Sequence, residues 1–498
     1  MSRLSRNILY NGGGTGLLLL LTFVVIKFVY SRLGSDALGL IYLNISLTAI
    51  VAAGLELGIS VTTVREISTH HSSDPDYTAA LIRTASAIYW SMTVLAGVIV
   101  FTSAPWLVRH WLNLQQLDSA TATTTLRILA IAAVLTLPRV LYTSIFRGRQ
   151  LMAINNGIDV SVATVQQVGT VAIIAADGDL VQVAIWVAAC AVAAQFIYIG
   201  FAARLFGAVA LVPWPSTLVV RRNASFAAHM MSTSVLSIVH SQTDKVMIAR
   251  LLPLAQFGYY GVASSVVARA MLLTSAVAQA SLPALTDLHR SSGQAALVAQ
   301  YRKLQDLVCF ATVPFFAAIV FASRPLFSFL LDPAASAQLV LPTALLAVGF
   351  YMNGTMTIPF VISVATGRPS IASRTNLWAL VLSLPATVVL ILLFGLVGAG
   401  LSWIVYHAFL YAYMAPRVSR ECLQLPSREW FEHLARPVLA AGALYGSGWA
   451  LAYKLDLMVL PLAATWFAAT IAFGFIAYRL IGPDLRGSVA GTRQRLAL

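Results

Sequence analysis

The chain has 498 residues, 59% of them hydrophobic and 10% charged, with a formal net charge of +14 and a mean hydropathy of +0.82. Soluble domains carry about 25% charged residues, so a soluble enzyme or a solvated binding module is excluded. The positive charge is spread over alternate loops rather than gathered in a basic domain, which argues against a nucleic-acid partner and for a polytopic membrane protein.

Apolar stretches recur along the whole chain, and in order the expected spans are 10–31, 38–62, 82–103, 126–146, 157–176, 180–203, 226–250, 257–283, 306–323, 340–364, 377–394, 398–416, 438–453 and 459–479. Fourteen spans at roughly 20 residues each use about 280 residues, leaving short connections. Spans of this length satisfy their backbone hydrogen bonds in lipid only as helices, and the alternation of barrel strands is absent. The opening stretch, Met1 to Val25, has the basic start and Leu-rich run of a signal sequence. No small-residue cleavage site follows the run, so a retained first helix is expected.

Polar residues Asn7, Asn11, Thr15 and Thr22 share one face of the first span, which suggests that this face lines a cavity. Lys27 lies off that face, near the outer end, where it either reaches the headgroups or serves the cavity. In the second span Glu56 shares a face with Tyr42, Ala49, Ala52, Ser60 and Thr63, taking 100° per residue. Such small and polar neighbours pack on protein or line water. Glu56 is read either as a proton-loading carboxylate or as a fixed partner of Arg65 or Arg139. Arg139 lies deep in the fourth span, with Asp159 in the fifth. Asp177-Gly178-Asp179 has the look of a metal-binding pair, but its place in a three-residue hairpin predicts a turn.

The seventh span is the most polar, with His229, His240 and Asp244 near one face and Lys245 beside them. It reads as a proton relay through His240 and Asp244 or as polar glue, with Asp244 and Lys245 neutralising each other. Arg269 lies in the eighth span. The loop 294–308 repeats Leu297, Tyr301, Leu304 and Val308 at helical spacing, predicting either an interfacial helix or a helix packed on its neighbours. His70-His71 with Asp74 and Asp76 lacks metal-ligand spacing. Cys190, Cys309 and Cys422 imply no disulfide framework, and Walker, GxSxG and paired-cysteine motifs are absent.

Placing the N-terminus in the cytosol puts twenty-two of the 32 Lys and Arg residues in inside segments and six outside, so both termini are expected in the cytosol. The expected layout is a six-helix bundle over 1–204, a linker over 205–225 containing Pro213-Trp214-Pro215, a second six-helix bundle over 226–420, and two extra helices with a tail over 421–498.

The chain also repeats itself. SRLGSDALGLIYLNISL (31–47) and ARLLPLAQFGYYGVASSV (249–266) share Arg-Leu, a turn, a glycine and a nearby tyrosine, so that Arg32 matches Arg250 and Gly39 matches Gly258. Six spans separate the copies, an even number, as in parallel repeats related by an axis along the membrane normal. The expected fold class is therefore all-α, with about 14 transmembrane helices in two six-helix bundles related by pseudo-twofold symmetry, plus two C-terminal helices.

The segments 32–68 and 243–266, with the following Pro283, resemble the Wzx-type polysaccharide flippases of the MOP superfamily, which also holds multidrug extruders and the lipid II flippase. The resemblance covers most of the first twelve spans. It implies translocation of an undecaprenyl-diphosphate-linked oligosaccharide across a bacterial inner membrane through a cationic lumen, by alternating access. It also implies a proton or sodium gradient instead of a cofactor, contact with membrane lipids, and a monomer working beside a polymerase and a chain-length regulator. Guanidinium is weakly hydrated and forks onto phosphate oxygens, so Arg139 and Arg269 are the foremost substrate-binding candidates. Lys27, Lys245 and the repeat-matched pair Arg32 and Arg250 complete the set. Glu56, Asp244 and His240 are the ion-coupling candidates. Two other readings stand beside this one. One is a membrane-embedded glycosyltransferase or polymerase, for which the outer loop 104–125 offers only Asp118. The other is a drug/cation antiporter of the same superfamily.

Overall fold

The structure, a computed structural model, describes residues 3–55, 58–291, 293–457, 459–482 and 485–487. They form eighteen α-helices, grouped in two compact units, Met1–Tyr259 and Tyr260–Leu498.

The first unit holds α1 (Arg3–Phe28), α2 (Ser35–Leu55), α3 (Ile59–His70), α4 (Pro75–His110), α5 (Ser119–Gly148), α6 (Met152–Ala175), α7 (Leu180–Phe206) and α8 (Thr217–Leu251), with the start of α9 (Leu254–Ala268). Aspartates set the helix starts. Asp74 accepts from the Tyr77 amide ahead of Pro75, Asp118 accepts from Ala120 and Thr121, and Asp179 forms a capping box with Gln182. Each satisfies amides that the first helical turn leaves open. The Asp177 to Asp179 stretch is accordingly a turn, with Asp177 at φ 59°. α5 is the central helix and packs on α2, α3, α4 and α7. Its inner face, Leu137, Leu141, Tyr142, Ile145 and Phe146, joins Tyr89 and Tyr198 in the core.

The second unit holds the rest of α9, then α10 (Met271–Ser291), α11 (Gly293–Ala311), α12 (Val313–Leu330), α13 (Pro333–Ala365), α14 (Pro369–Phe394), α15 (Leu396–Glu421), α16 (Ser427–Ala441), α17 (Ser447–Lys454) and α18 (Val459–Leu480). α13 is its centre, packed on α10, α11, α12 and α15, and it starts as α4 does, with Asp332 capping ahead of Pro333. Phe350 stacks on Trp403 with ring centroids 4.1 Å apart.

Among the described residues eleven helices are long and apolar enough to cross a membrane, or twelve if the bent pair α9 and α10 is one span. The expected seventh and thirteenth spans fall on α8 and on the run α16 to α17, neither of which meets that test. α8 carries Arg221, Arg222, Asp244, Lys245 and Arg250, and a π-helical turn, Gly442–Gly446, interrupts the second.

Three details refine these expectations. The second span is not one continuous helix. α2 is described as far as Leu55, and the break lies just before α3 at Gly58, whose φ of 67° lies in the left-handed region that glycine enters without strain. The helical face from Tyr42 through Ser60 and Thr63 is therefore broken. The eighth span bends by 41° between α9 and α10. No proline causes it: the amides of Arg269 and Ala270 reach back only three residues, to Val266 and Val267, as in a short 3-10 turn. Finally, of the two readings of 294–308, the structure supports the helix packed on its neighbours. Leu297, Tyr301, Leu304 and Val308 are all buried, and α11 packs on α10, α13 and α16.

Candidate functional site

The membrane-embedded charges occupy distinct settings. Arg139 follows Pro138, whose ring removes a helical hydrogen bond from the middle of α5. Its guanidinium pairs with Asp159 of α6. The Tyr198 hydroxyl of α7 donates to the same carboxylate oxygen at 2.6 Å, and the guanidinium lies 5.6 Å from the Tyr198 ring centroid. The pair is not sealed: 36% of the Arg139 side chain and 42% of the Asp159 side chain stay exposed. Arg269 stands at the break between α9 and α10, is exposed, and has no ion pair or side-chain hydrogen bond among the described residues.

On α8, Asp244 is buried and lies 3.5 Å from the Lys245 ammonium, which donates to the Ser241 carbonyl at 2.8 Å. His240, one turn before Asp244, is half-buried. Lys27 is half-buried near the end of α1. Arg32 makes an exposed pair with Asp177 at 3.1 Å. Arg250 is exposed, with its guanidinium 5.7 Å from the Trp111 ring centroid. Glu56 lies outside the described residues.

The two repeat copies meet inside the first unit. A Cβ on Gly39 would lie 2.3 Å from the Leu254 carbonyl oxygen, and one on Gly258 would lie 2.8 Å from the Gly39 nitrogen. The matched glycines thus allow a backbone approach that no other residue permits. The hydroxyls of Tyr30 and Tyr259 lie 3.4 Å apart. The connection between α4 and α5 laces this contact. Buried Asp36 accepts from the amides of Gln115, Gln116 and Leu117 at 2.7, 2.7 and 3.1 Å, and the Leu254 amide donates to Asn113 O at 2.9 Å.

At the other end of the unit is a network that sequence reasoning missed. Glu66 of α3 is 5% exposed. Arg65 donates to its Oε1 at 2.6 and 3.0 Å, the Tyr77 hydroxyl of α4 donates to Oε2 at 2.8 Å, and His70 Nδ1 lies 3.4 Å from Oε2. From α8, Asn223 donates to the Tyr77 hydroxyl at 3.1 Å and Arg222 lies 4.3 Å over the Tyr77 ring. Burial raises the Glu66 pKa. The bonds from Tyr77 and Arg65 and the charges of Arg65 and His70 outweigh that effect and hold it below its ordinary value. The spacing of Glu66 and His70, one helical turn, was the available signal. The linker before α8 is strapped down beside it: the Trp214 amide donates to Arg83 O and Ser86 Oγ to Leu211 O.

The second unit has a parallel network. Buried Asp306 of α11 accepts from His433 Nδ1 at 2.7 Å and from the Gly482 amide at 2.8 Å. Glu429 accepts a forked contact from Arg302. That hydrogen bonding, against an opposing push from burial and with the charges of Arg302 and His433 adding, keeps Glu429 below its ordinary range. Above it, α12, α13 and α16 enclose an apolar cavity of about 430 Å³, lined by Phe316, Val320, Val348, Tyr351, Val438 and Tyr445 among others.

These features define an all-helical, multi-pass membrane protein. Residues 31–333 match the polysaccharide biosynthesis protein family, and the chain belongs to that family. The fold is similar to lipid II flippase MurJ in an inward closed conformation, with a TM-score of 0.69 and 12% identity over 95% of this chain and 99% of that one. It is also similar to an inward-facing multidrug resistance MATE family transporter, with a TM-score of 0.68 and 13% identity over 81% of this chain and 94% of that one. A MOP superfamily transporter from Pyrococcus furiosus gives a TM-score of 0.55 at 13% identity, over 89% and 95% of the two chains. No curated protein matches the chain by sequence.

Proposed function

We propose that this protein flips an undecaprenyl-diphosphate-linked oligosaccharide from the cytosolic to the outer leaflet of a bacterial inner membrane, for surface polysaccharide assembly. The observation that carries the reading is Arg269, an exposed guanidinium with no partner among the described residues, at a break in a helix pair apolar enough to span a membrane. A charge at bilayer depth costs at least about 2.5 kcal/mol, and a lipid diphosphate that must shed water is a ligand that offsets it. Arg139 adds a second guanidinium with an accessible edge, and Lys27, Lys245, Arg32 and Arg250 extend the positive path. The apolar cavity between α12, α13 and α16 suits the isoprenoid tail. Two six-span bundles, 1–204 and 226–420, rock about the linker 205–225. The Gly39–Gly258 contact and the Glu66 network act as the two closures, since each joins an early span to α8 or α9. Ion coupling by protons or sodium runs through Asp244 and His240, with Glu56 as the third candidate. Both termini face the cytosol.

The glycosyltransferase reading draws no support from the outer loop, because its lone carboxylate, Asp118, is occupied in capping α5. Arg269→Ala and Arg139→Ala should abolish surface polysaccharide while protein stays in the membrane, and the lipid-linked unit should accumulate inside. Normal polymer in both variants refutes the proposal. Cation-dependent efflux of dyes by the purified protein would favour the antiporter.

A further inference from the structure

A cleft between α14 and α15 takes no part in the site above. It encloses about 700 Å³. Arg374 and Arg417 line it at one end, where α14 begins and α15 finishes. Both are exposed, and neither has an ion pair or side-chain hydrogen bond among the described residues. The neighbouring carboxylate, Glu421, is engaged by Arg368 at 3.3 Å, so this end carries unbalanced positive charge.

Away from the arginines the lining turns apolar, through Trp378 and Leu382 to Pro385 on α14 and through Phe409 and Tyr413 on α15. Trp378 and Tyr413 are 63% and 52% exposed, and Tyr413 stacks on Phe409 with centroids 4.5 Å apart. From Arg374 to Pro385 the helix rises about 16 Å at 1.5 Å per residue, and half of a 30 Å hydrocarbon core is about 15 Å. The cleft is therefore long enough to run from headgroup level to mid-membrane, with aromatic rings next to the charged end as at a membrane–water boundary.

We infer that this cleft binds an anionic glycerophospholipid of the leaflet on the Arg374 side, cytosolic by the charge bias of the loops. Its phosphate lies between the Arg374 and Arg417 guanidiniums and one acyl chain lies along Trp378 and Leu382. Forked guanidinium contacts suit a phosphate diester, and basic pockets between membrane helices take acidic headgroups in the same way. A polyisoprenyl diphosphate offers similar chemistry, so the test separates the two. The inference does not depend on what the protein transports.

The test counts lipids retained by the purified full-length protein in native mass spectrometry after titration with phosphatidylglycerol, phosphatidylcholine or undecaprenyl diphosphate. Phosphatidylglycerol should bind at least about tenfold more tightly than phosphatidylcholine, and each arginine replaced by glutamine should cost about tenfold. Arg374→Lys with Arg417→Lys should lose less than the glutamine pair. If the glutamine pair does not fold, bromine-labelled phosphatidylglycerol provides a second reading. It should quench wild-type fluorescence more than that of Trp378→Phe, and equal quenching overturns the inference. Equal retention of the two phospholipids, or retention unchanged by the glutamine pair, also overturns it. So does undecaprenyl diphosphate binding that phosphatidylglycerol does not displace, which would make the cleft part of the substrate path. Polysaccharide output of the Arg139 and Arg269 variants is unaffected by any of these outcomes, so the two proposals fail separately.

Discussion

Replacing Glu66 with glutamine keeps the side chain's size and removes its charge from a site where only 6% of it is exposed. The Tyr77 bond is buried and charge-assisted, a class worth about 1.5–3 kcal/mol. Arg65 and Arg222 are 44% and 49% exposed, so solvent screens them and each pair adds only about 0.2–1 kcal/mol. Glu66→Gln should therefore destabilise the protein by about 2–3 kcal/mol, most of it through Tyr77. Tyr77→Phe removes the same bond from the other side, so the double variant should lose less than the two singles added, by about 1–2 kcal/mol. Tryptophan fluorescence of reversible unfolding in mixed detergent micelles at neutral pH gives the four values of the cycle. Single losses that add to within about 0.5 kcal/mol would refute the claim that this bond fastens α3 to α4.

The acid limb of stability should follow the same residues. Glu66 and Glu429 are both held below the ordinary carboxylate value of 4.5, so the folded state binds fewer protons than the unfolded one on the acid side. Their contribution is then complete above 4.5 and is lost as pH falls through the lowered values. Unfolding midpoints should stay level from neutral pH down to that point and drop below it, and Glu66→Gln with Glu429→Gln should blunt the drop. Gly39→Ala should cost about 1–3 kcal/mol by overpacking, because its Cβ would overlap Leu254, whereas Gly16→Ala, with nothing within 4 Å, should be neutral or stabilising; yield and melting of the two proteins check this. His433→Ala should cost about 3 kcal/mol or more by leaving the buried Asp306 carboxylate short of a partner, seen as a fall in unfolding midpoint that Asp306→Asn partly restores.

Element type was legible because lipid imposes one rule: an apolar run of crossing length is a helix. The sequence also singled out Gly39 and Gly258 by their matching places, and the two turn out to touch. What could not be read was where helices stop. Gly58 interrupts the second span and a short 3-10 turn interrupts the eighth, and both lie inside runs whose composition does not change. Charge pairing was least visible. Asp159 finds Arg139 across 20 positions, Arg65 beside Glu66 meets Asn223 of α8 across 158, and Asp306 meets His433 across 127. Sequence spacing predicts partners within a helical turn, but packing chose these. The stripe of α11 shows the same limit, because amphipathic periodicity cannot say whether an apolar face meets lipid or protein.

The stretch from Asn113 to Leu117 grips both repeat hairpins at once, the first through Asp36 and the second through Leu254. Parting the hairpins must break either three amide hydrogen bonds to the Asp36 carboxylate or the main-chain bridge to Leu254, all made by five consecutive residues. Under the proposed orientation those residues face the cell exterior. A nanobody raised against this docked loop would therefore hold the two hairpins together from outside, without a molecule having to penetrate the bilayer.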